Sequence, residues 1–487
     1  MNFATNHEGQ LTIGGVVASQ LVHTFQTPLY VYDVGAIRHQ IRAFKQVFET
    51  AGVAYAVSYA SKAFATIAMY EVAKAEAIHV DVVSGGELYT AQAAGFPMDK
   101  VSFHGNNKSK AELEQALDAG VGTIIVDNFH ELDLLDELLK AAVGKQNVLI
   151  RVAPGISAHT HAYDQTGQTD SKFGFDLESG QADEAAKRIL ADDHLNLLGI
   201  HAHIGSQIFE VAGFEAVTQK LLAVLDHWHQ QFGFIPKVLN VGGGFGIAYT
   251  KQDDPLPPEA FVQAIVTTLK TQSHGFNWPL PAVWIEPGRS IVGPAGYSLY
   301  TVGSRKDVPG LRPYVAVDGG MGDNIRPALY QAQYTAVVAD HPTAQPTERV
   351  HLVGKYCESG DILIDDAPLP ATHPGDVVAV FDTGAYGYSM ASNYNRNPRP
   401  AVVFVENGQA QLVVTRETYA DLIQHDQHYT APSQSAPTST ATTVAKKLGG
   451  HHGTTRYRKN HFNHRKQQEN HASQSVSQRE ISRLAFP

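Results

Sequence analysis

Cysteine is nearly missing from this chain: Cys357 is the single one in 487 residues. That excludes an internal disulfide framework and fits a reducing compartment. Long apolar runs are also missing, and no segment approaches the roughly 20 residues that a membrane span requires. The first ten residues carry neither a basic head nor an apolar stretch, so no secretory signal and no membrane partner are expected, and a cytoplasmic location is. Positive charge is scarce in most of the chain. The net charge is −11, yet after Ser435 nine basic residues face two acidic ones, a net +7 that leaves residues 1–435 at −18. An acidic body of this kind argues against nucleic acid as a partner.

What is present is a repeating alternation. Apolar or β-branched runs occur at 54–59, 79–83, 101–104, 123–127, 148–152, 197–204, 237–241 and 282–285. Amphipathic stretches separate most of them, and a further one over 34–50 places Ile37, Ile41, Phe44 and Phe48 at helical spacing. Eight strands alternating with helices in about 240 residues predict a (β/α)8 barrel, with a doubly wound open sheet as the alternative. The α/β barrel is assigned to residues 34–290. Residues 291–429 change to short strands with turn signals and predict a mainly β domain. The strands expected at Leu11–Val17 and Leu29–Asp33, within residues 1–33, would join it. Glu406-Asn407-Gly408-Gln409 reads as a hairpin turn. Residues 430–487 are rich in Ser, Thr, His and basic residues, and this composition predicts a disordered tail.

In a barrel, chemistry belongs at the carboxyl ends of the strands, and the unusual residues fall there. Lys62 ends the first strand, where a desolvated amine would have a lowered pKa and could attack a carbonyl. A solvated, snorkelling lysine is the plain alternative. Asp81 lies on the second strand, His104-Gly-Asn-Asn-Lys108 follows the third, and Arg151 lies on the fifth. Gly242-Gly243-Gly244-Phe245-Gly246 follows the seventh, where glycines let backbone amides turn towards a phosphate. It is either that or a tight turn, and it lacks dinucleotide-binding spacing. His201 and His203, two apart on a strand, face one side. With His159 and His161 they leave open a metal-dependent hydrolase, although Glu286-Pro287-Gly288-Arg289 would set a repelling arginine beside the metal. Arg326 and Tyr330 could grip a carboxylate. Cys357-Glu358 could be inert, or the thiol could donate a proton.

Taken in order, these motifs resemble the diaminopimelate decarboxylase family over about residues 10–425. The resemblance is carried by Tyr59-Ala-Ser-Lys62-Ala, the segments 81–88, 104–108, 170–175 and 203–207, the glycine cluster, Glu-Pro-Gly-Arg, Cys-Glu-Ser-Gly-Asp at 357–361 and Gly-Ala-Tyr386-Gly. It implies an alanine-racemase-like barrel plus a β domain, pyridoxal 5'-phosphate as cofactor, and decarboxylation of meso-2,6-diaminopimelate to L-lysine. Lys62 would carry the cofactor and Glu286 would face its ring nitrogen. His203 would stack on the ring. Ser206, the glycine cluster and Tyr386 would hold the phosphate, and Asp81, Pro287, Gly288 and Arg289 would also contact the cofactor. Arg289, Arg326, Tyr330 and Tyr386 would bind substrate carboxylate and Glu358 the distal ammonium, while Cys357 would return a proton. Cys357 and Glu358 would come from a partner subunit, implying a homodimer and no metal. A decarboxylase acting on ornithine or arginine, or a non-catalytic homologue, are the rival readings.

Overall fold

The computed structural model describes residues 3–140, 144–156 and 170–430. The expected tail and the pair His159 and His161 lie outside them. Eight parallel strands close into a barrel: Tyr55–Ala60, His79–Val82, Val101–Phe103, Thr123–Val126, Gln146–Ala153, Leu195–His201, Val238–Asn240 and Ala282–Ile285. Closure comes from the last strand pairing with the first, Val283 opposite Tyr55. The fourth and fifth strands also pair, Ile124 opposite Val148, so no edge is left open within the ring. This excludes the doubly wound sheet. Every residue of Thr123–Val126 and Val238–Asn240 is buried, which is why these strands read as continuous apolar runs rather than alternating ones.

The helices start where short polar side chains replace the first missing backbone partners. Asp33, Thr66, Ser84, Ser109 and Asn128 each accept an N–H from the first helical turn that follows, a capping bond typically contributing about 1 kcal/mol. Four of these caps follow barrel strands, so the loops after the first four strands, Lys62's among them, are anchored at their far ends. The helix Val34–Ala51 turns Ile37, Ile41, Phe44 and Phe48 inwards. Each fully buried side chain of this size contributes about 1.5–3 kcal/mol.

The β domain is built around Gly296–Lys306, which pairs with Leu29–Asp33, Tyr314–Val317 and Val377–Val380. Leu29–Asp33 is in turn parallel to Ala401–Glu406, so segments from before and after the barrel lie side by side. The stretch expected as one strand over Leu11–Val17 is instead a hairpin, Leu11–Ile13 and Val16–Val17. Gly14 and Gly15 break it, both with positive φ. It forms a small sheet with Ala4–Thr5 and packs Leu11 and Ile13 against Leu299, Ala379 and Val403. The turn at Asn407-Gly408 joins Ala401–Glu406 to Gln409–Val414, with both turn residues at positive φ. Among the described residues no helix is long and apolar enough to cross a membrane.

Candidate functional site

A cavity of about 460 Å³ opens at the carboxyl ends of the barrel strands. The barrel supplies Lys62, Asp81, His203, Ser206, Gly244, Phe245 and Glu286 to its wall, and the turn after the last strand adds Gly288 and Arg289. Arg326, Tyr330 and Tyr386 reach it from the β domain. Gly242, Gly243, Gly246 and Pro287 adjoin these residues in the chain without lining the cavity. Cys357 and Glu358 are exposed and lie off it.

Lys62 sits in a one-turn helix, Ser61–Ala63, that interrupts the chain as it leaves the first strand. The turn is clamped by the β domain, for the carbonyl of Ala63 accepts from Tyr386 N at 2.9 Å and from Ser389 Oγ at 3.0 Å. Ser61 Oγ donates to the carbonyl of Asp81 at 2.6 Å and lies 2.9 Å from Glu87 Oε2. The amine itself is open to the cavity, yet protein surrounds that space. Burial pulls the Lys62 pKa down, but Tyr386, Asp81 and Glu286 outweigh it, and the pKa lies above the ordinary lysine value. The expectation of a lowered pKa, drawn from desolvation alone, is thereby corrected: the Tyr386 phenol, with the two carboxylates Asp81 and Glu286, decides the sign.

Those carboxylates differ. Glu286 Oε1 accepts from Asn240 Nδ2 at 2.7 Å, and Oε2 accepts from His201 Nε2 at 3.1 Å. His104 Nε2 lies 3.3 Å from Oε1. Burial opposes the charged form, but the two imidazoles and the amide outweigh it and hold Glu286 well below the usual carboxylate range. Asp81 has no such support, and its Oδ1 is buried without a hydrogen-bond partner. Burial and the neighbouring Glu286 push Asp81 well above its ordinary value. Burial, with Lys62 and Arg151, pushes His203 well below its own, and the Gly243 amide donates to His203 Nδ1 at 3.2 Å. A neutral, oriented imidazole face therefore lines the cavity.

The glycine cluster follows Val238–Asn240 and admits no side chains. A Cβ on Gly243 would fall 2.0 Å from the carbonyl oxygen of Glu286, and one on Gly244, at φ +107°, 2.2 Å from that of Gly205. The amides of Gly242, Gly243 and Gly246 already donate to Asn240 Oδ1, His203 Nδ1 and the Ile208 carbonyl. Among the described residues those of Gly244 and Phe245, on the cavity wall, meet no such acceptor and are left for an anion.

The same cavity is lined by two buried guanidiniums. Arg289 donates to Tyr249 Oη at 2.6 Å and to Ser206 Oγ at 3.0 Å, and its Nε is buried without a partner. Arg326 donates to Tyr249 Oη at 2.8 Å and to Tyr334 Oη at 2.9 Å. Among the described residues no carboxylate lies within 4.0 Å of either, in contrast to Lys108, whose buried ammonium meets Glu131 at 2.8 Å. An arginine buried without an acid is costly unless an anion arrives.

Several participants were not singled out from the sequence. Asn240 and Tyr249 carry no motif, and His104 and Arg151 were noted only as lying at strand ends. The signal available for Asn240, His104 and Arg151 was position, at or near a strand's carboxyl end, whereas Tyr249 lies well into a loop. Lys108, by contrast, is structural, since its ammonium also donates to the carbonyls of Gly105 and Ile125. The metal reading meets His104, His201 and Glu286, whose ligand atoms lie within 4.8 Å of one another. His203 is not in that group, and both oxygens of Glu286 are already engaged, so the expected His201–His203 pair is not the one assembled.

Comparison with known proteins agrees with this geometry. Residues 34–293 match the family of pyridoxal-dependent decarboxylases, pyridoxal binding domain. The diaminopimelate decarboxylase of Bacillus subtilis is 55% identical over 421 residues, covering 86% of this chain and 96% of its own. That of Staphylococcus aureus is 43% identical, covering 88% and 100%. The crystal structure of diaminopimelate decarboxylase from M. jannaschii in co-complex with L-lysine is 35% identical, with a TM-score of 0.82 over 88% of this chain and 98% of that one. The chain belongs to the diaminopimelate decarboxylase family of pyridoxal-dependent decarboxylases.

Proposed function

We propose that this chain decarboxylates meso-2,6-diaminopimelate to L-lysine and CO2, using pyridoxal 5'-phosphate. The residues present fit that cofactor. Lys62 offers an amine to its aldehyde, and Glu286, stabilised as the anion, offers a partner for a protonated ring nitrogen. His203 presents a neutral face. Ser206 and the amides of Gly244 and Phe245 offer donors for the phosphate, behind a cradle that no Cβ could enter. When bound, the cofactor supplies an electron sink for the pair left behind as CO2 departs.

The protein's own groups do the rest. Lys62, held as an ammonium, must give up its proton before it can bond to a carbonyl, and Asp81 lies on the same cavity wall. Arg289 and Arg326 bind the substrate carboxylate that is kept, while Tyr330 and Tyr386 flank it. The observation that carries the substrate assignment is this pair of buried guanidiniums without acidic partners. Ornithine and arginine have one carboxylate, which is the one lost, and would bring a distal cation towards two others. Diaminopimelate has a second carboxylate to offer them.

Cys357 and Glu358 serve the cavity of a second copy in this reading, Cys357 returning the proton that replaces CO2 and Glu358 binding the distal ammonium. Their exposure on their own chain supports this, as does the bond from the Cys357 amide to Asn395 Oδ1 at 2.7 Å, which fixes the backbone at the surface. A homodimer with shared sites follows. The barrel of residues 34–290 carries the cofactor, and residues 1–33 and 291–429 form the β domain. A cytoplasmic setting is supported by the lone cysteine. The test is release of lysine from diaminopimelate, with ornithine and arginine as controls. Turnover of the first alone is expected, and comparable turnover of either control overturns the assignment.

A further inference from the structure

We infer that Tyr249 is a positioning residue that sets the enzyme's preference for a ligand with a free carboxylate, by holding Arg289 and Arg326 side by side. The inference rests on the function proposed above. Tyr249 is 8% exposed and lies behind the arginines rather than on the cavity wall. Its Oη takes a hydrogen bond from each guanidinium, at 2.6 Å from Arg289 and 2.8 Å from Arg326. A phenol oxygen has two lone pairs and can accept both. Arg289 comes from the barrel and Arg326 from the β domain, so this one atom joins the two halves of the carboxylate grip.

The chemistry of the linker matters. Two guanidiniums close together in a buried site repel, and each would otherwise swing towards water or an acid. A carboxylate between them would fix their geometry but would also cancel the charge the substrate needs. A neutral oxygen fixes them and leaves their charge available. The aromatic rings reinforce this: the Arg289 guanidinium carbon lies 4.9 Å from the Tyr386 ring centre, and that of Arg326 lies 5.2 Å from the Tyr249 ring.

Tyr249 is itself held from both sides. Gln207 exchanges two hydrogen bonds with the backbone of Ile247, at 3.1 and 2.7 Å. The amides of Tyr249 and Thr250 both donate to Asp253 Oδ2, at 2.9 and 2.8 Å. Beyond Arg326, Tyr334 packs edge-on against the Tyr249 ring at 5.4 Å and supplies a second acceptor. The position of the phenol is therefore set by backbone and turn, not by the arginines it holds.

The test compares two ligands that differ by one group. L-Lysine keeps the carboxylate that Arg289 and Arg326 grip, whereas 1,5-diaminopentane has none. Titration calorimetry on the holoenzyme is expected to show the wild type binding lysine more tightly. Tyr249→Phe should weaken lysine about ten-fold through the lost bonds to charged donors and leave the diamine unchanged. KM for diaminopimelate should rise to a similar extent with kcat within about two-fold, the pattern of lost uniform binding. Tyr334→Phe should give a smaller loss of the same sign, and it carries the test if Tyr249→Phe fails to load cofactor. Unchanged lysine affinity in these variants, or an equal loss for lysine and diamine, overturns the positioning role. A wild type that binds both ligands equally overturns instead the carboxylate assignment of the two arginines, and the inference with it.

Discussion

At the scale of single residues, the site separates two carboxylates by what each receives. Glu286 takes bonds from Asn240 and His201, while Asp81 keeps a buried oxygen without a partner. Asp81, raised by burial and by Glu286, binds its proton more tightly in the folded chain than unfolded. Between its unfolded pKa of about 4 and its higher folded one, stability therefore falls as pH rises. Asp81→Asn removes that contribution. With cofactor removed, the variant's melting temperature should fall less from pH 5 to pH 8 than the wild type's, and equal slopes would contradict the assignment. Lys62, Glu286 and Arg289 could be read from sequence because a charged residue ending an apolar strand has few structural reasons to be there. Asn240 and Tyr249 could not: an amide and a phenol are common in any loop, and their partners lie 46 and 77 positions away. The sign of the Lys62 shift was equally hidden, because it depends on Tyr386 from the β domain and on acids contributed by two other strands.

At the scale of elements, the barrel was legible because its strands are buried on both sides and its helices carry clean caps. The β domain was less so. Ile362–Leu369 includes Asp365, Asp366 and Pro368 yet is a strand, and it can be one because it lies at the end of the sheet order, where an unpaired edge tolerates charge and proline. Gly296–Lys306 alternates imperfectly and ends in exposed polar residues, so its central place in the sheet follows from pairing with distant segments. The split of Leu11–Val17 was visible in principle, since Gly14-Gly15 supplies the positive φ that a hairpin turn requires. Short motifs also proved mixed in purpose. Ser84 caps a helix and Lys108 neutralises Glu131, so parts of otherwise catalytic-looking strings serve the fold.

At the scale of the whole molecule, the cavity is lined from both the barrel and the β domain, while two of the expected groups face outwards. If Cys357 of one copy completes the site built on Lys62 of another, then two inactive variants should rescue one another. Lys62→Ala mixed with Cys357→Ala under conditions that exchange subunits should recover up to about a quarter of wild-type turnover, since half the dimers are mixed and each holds one intact site. No recovery in demonstrably mixed dimers would place the proton donor within a single chain. Sequence could suggest this arrangement only through the family resemblance, because nothing in a linear pattern states which copy a loop serves.

All of these readings depend on one covalent attachment. Reduction of the holoenzyme with borohydride, followed by peptide mapping, tests it most directly. The account predicts a pyridoxyl group on Lys62 and on no other lysine. A label on a different residue, or none on a protein that still releases lysine from diaminopimelate, would contradict it.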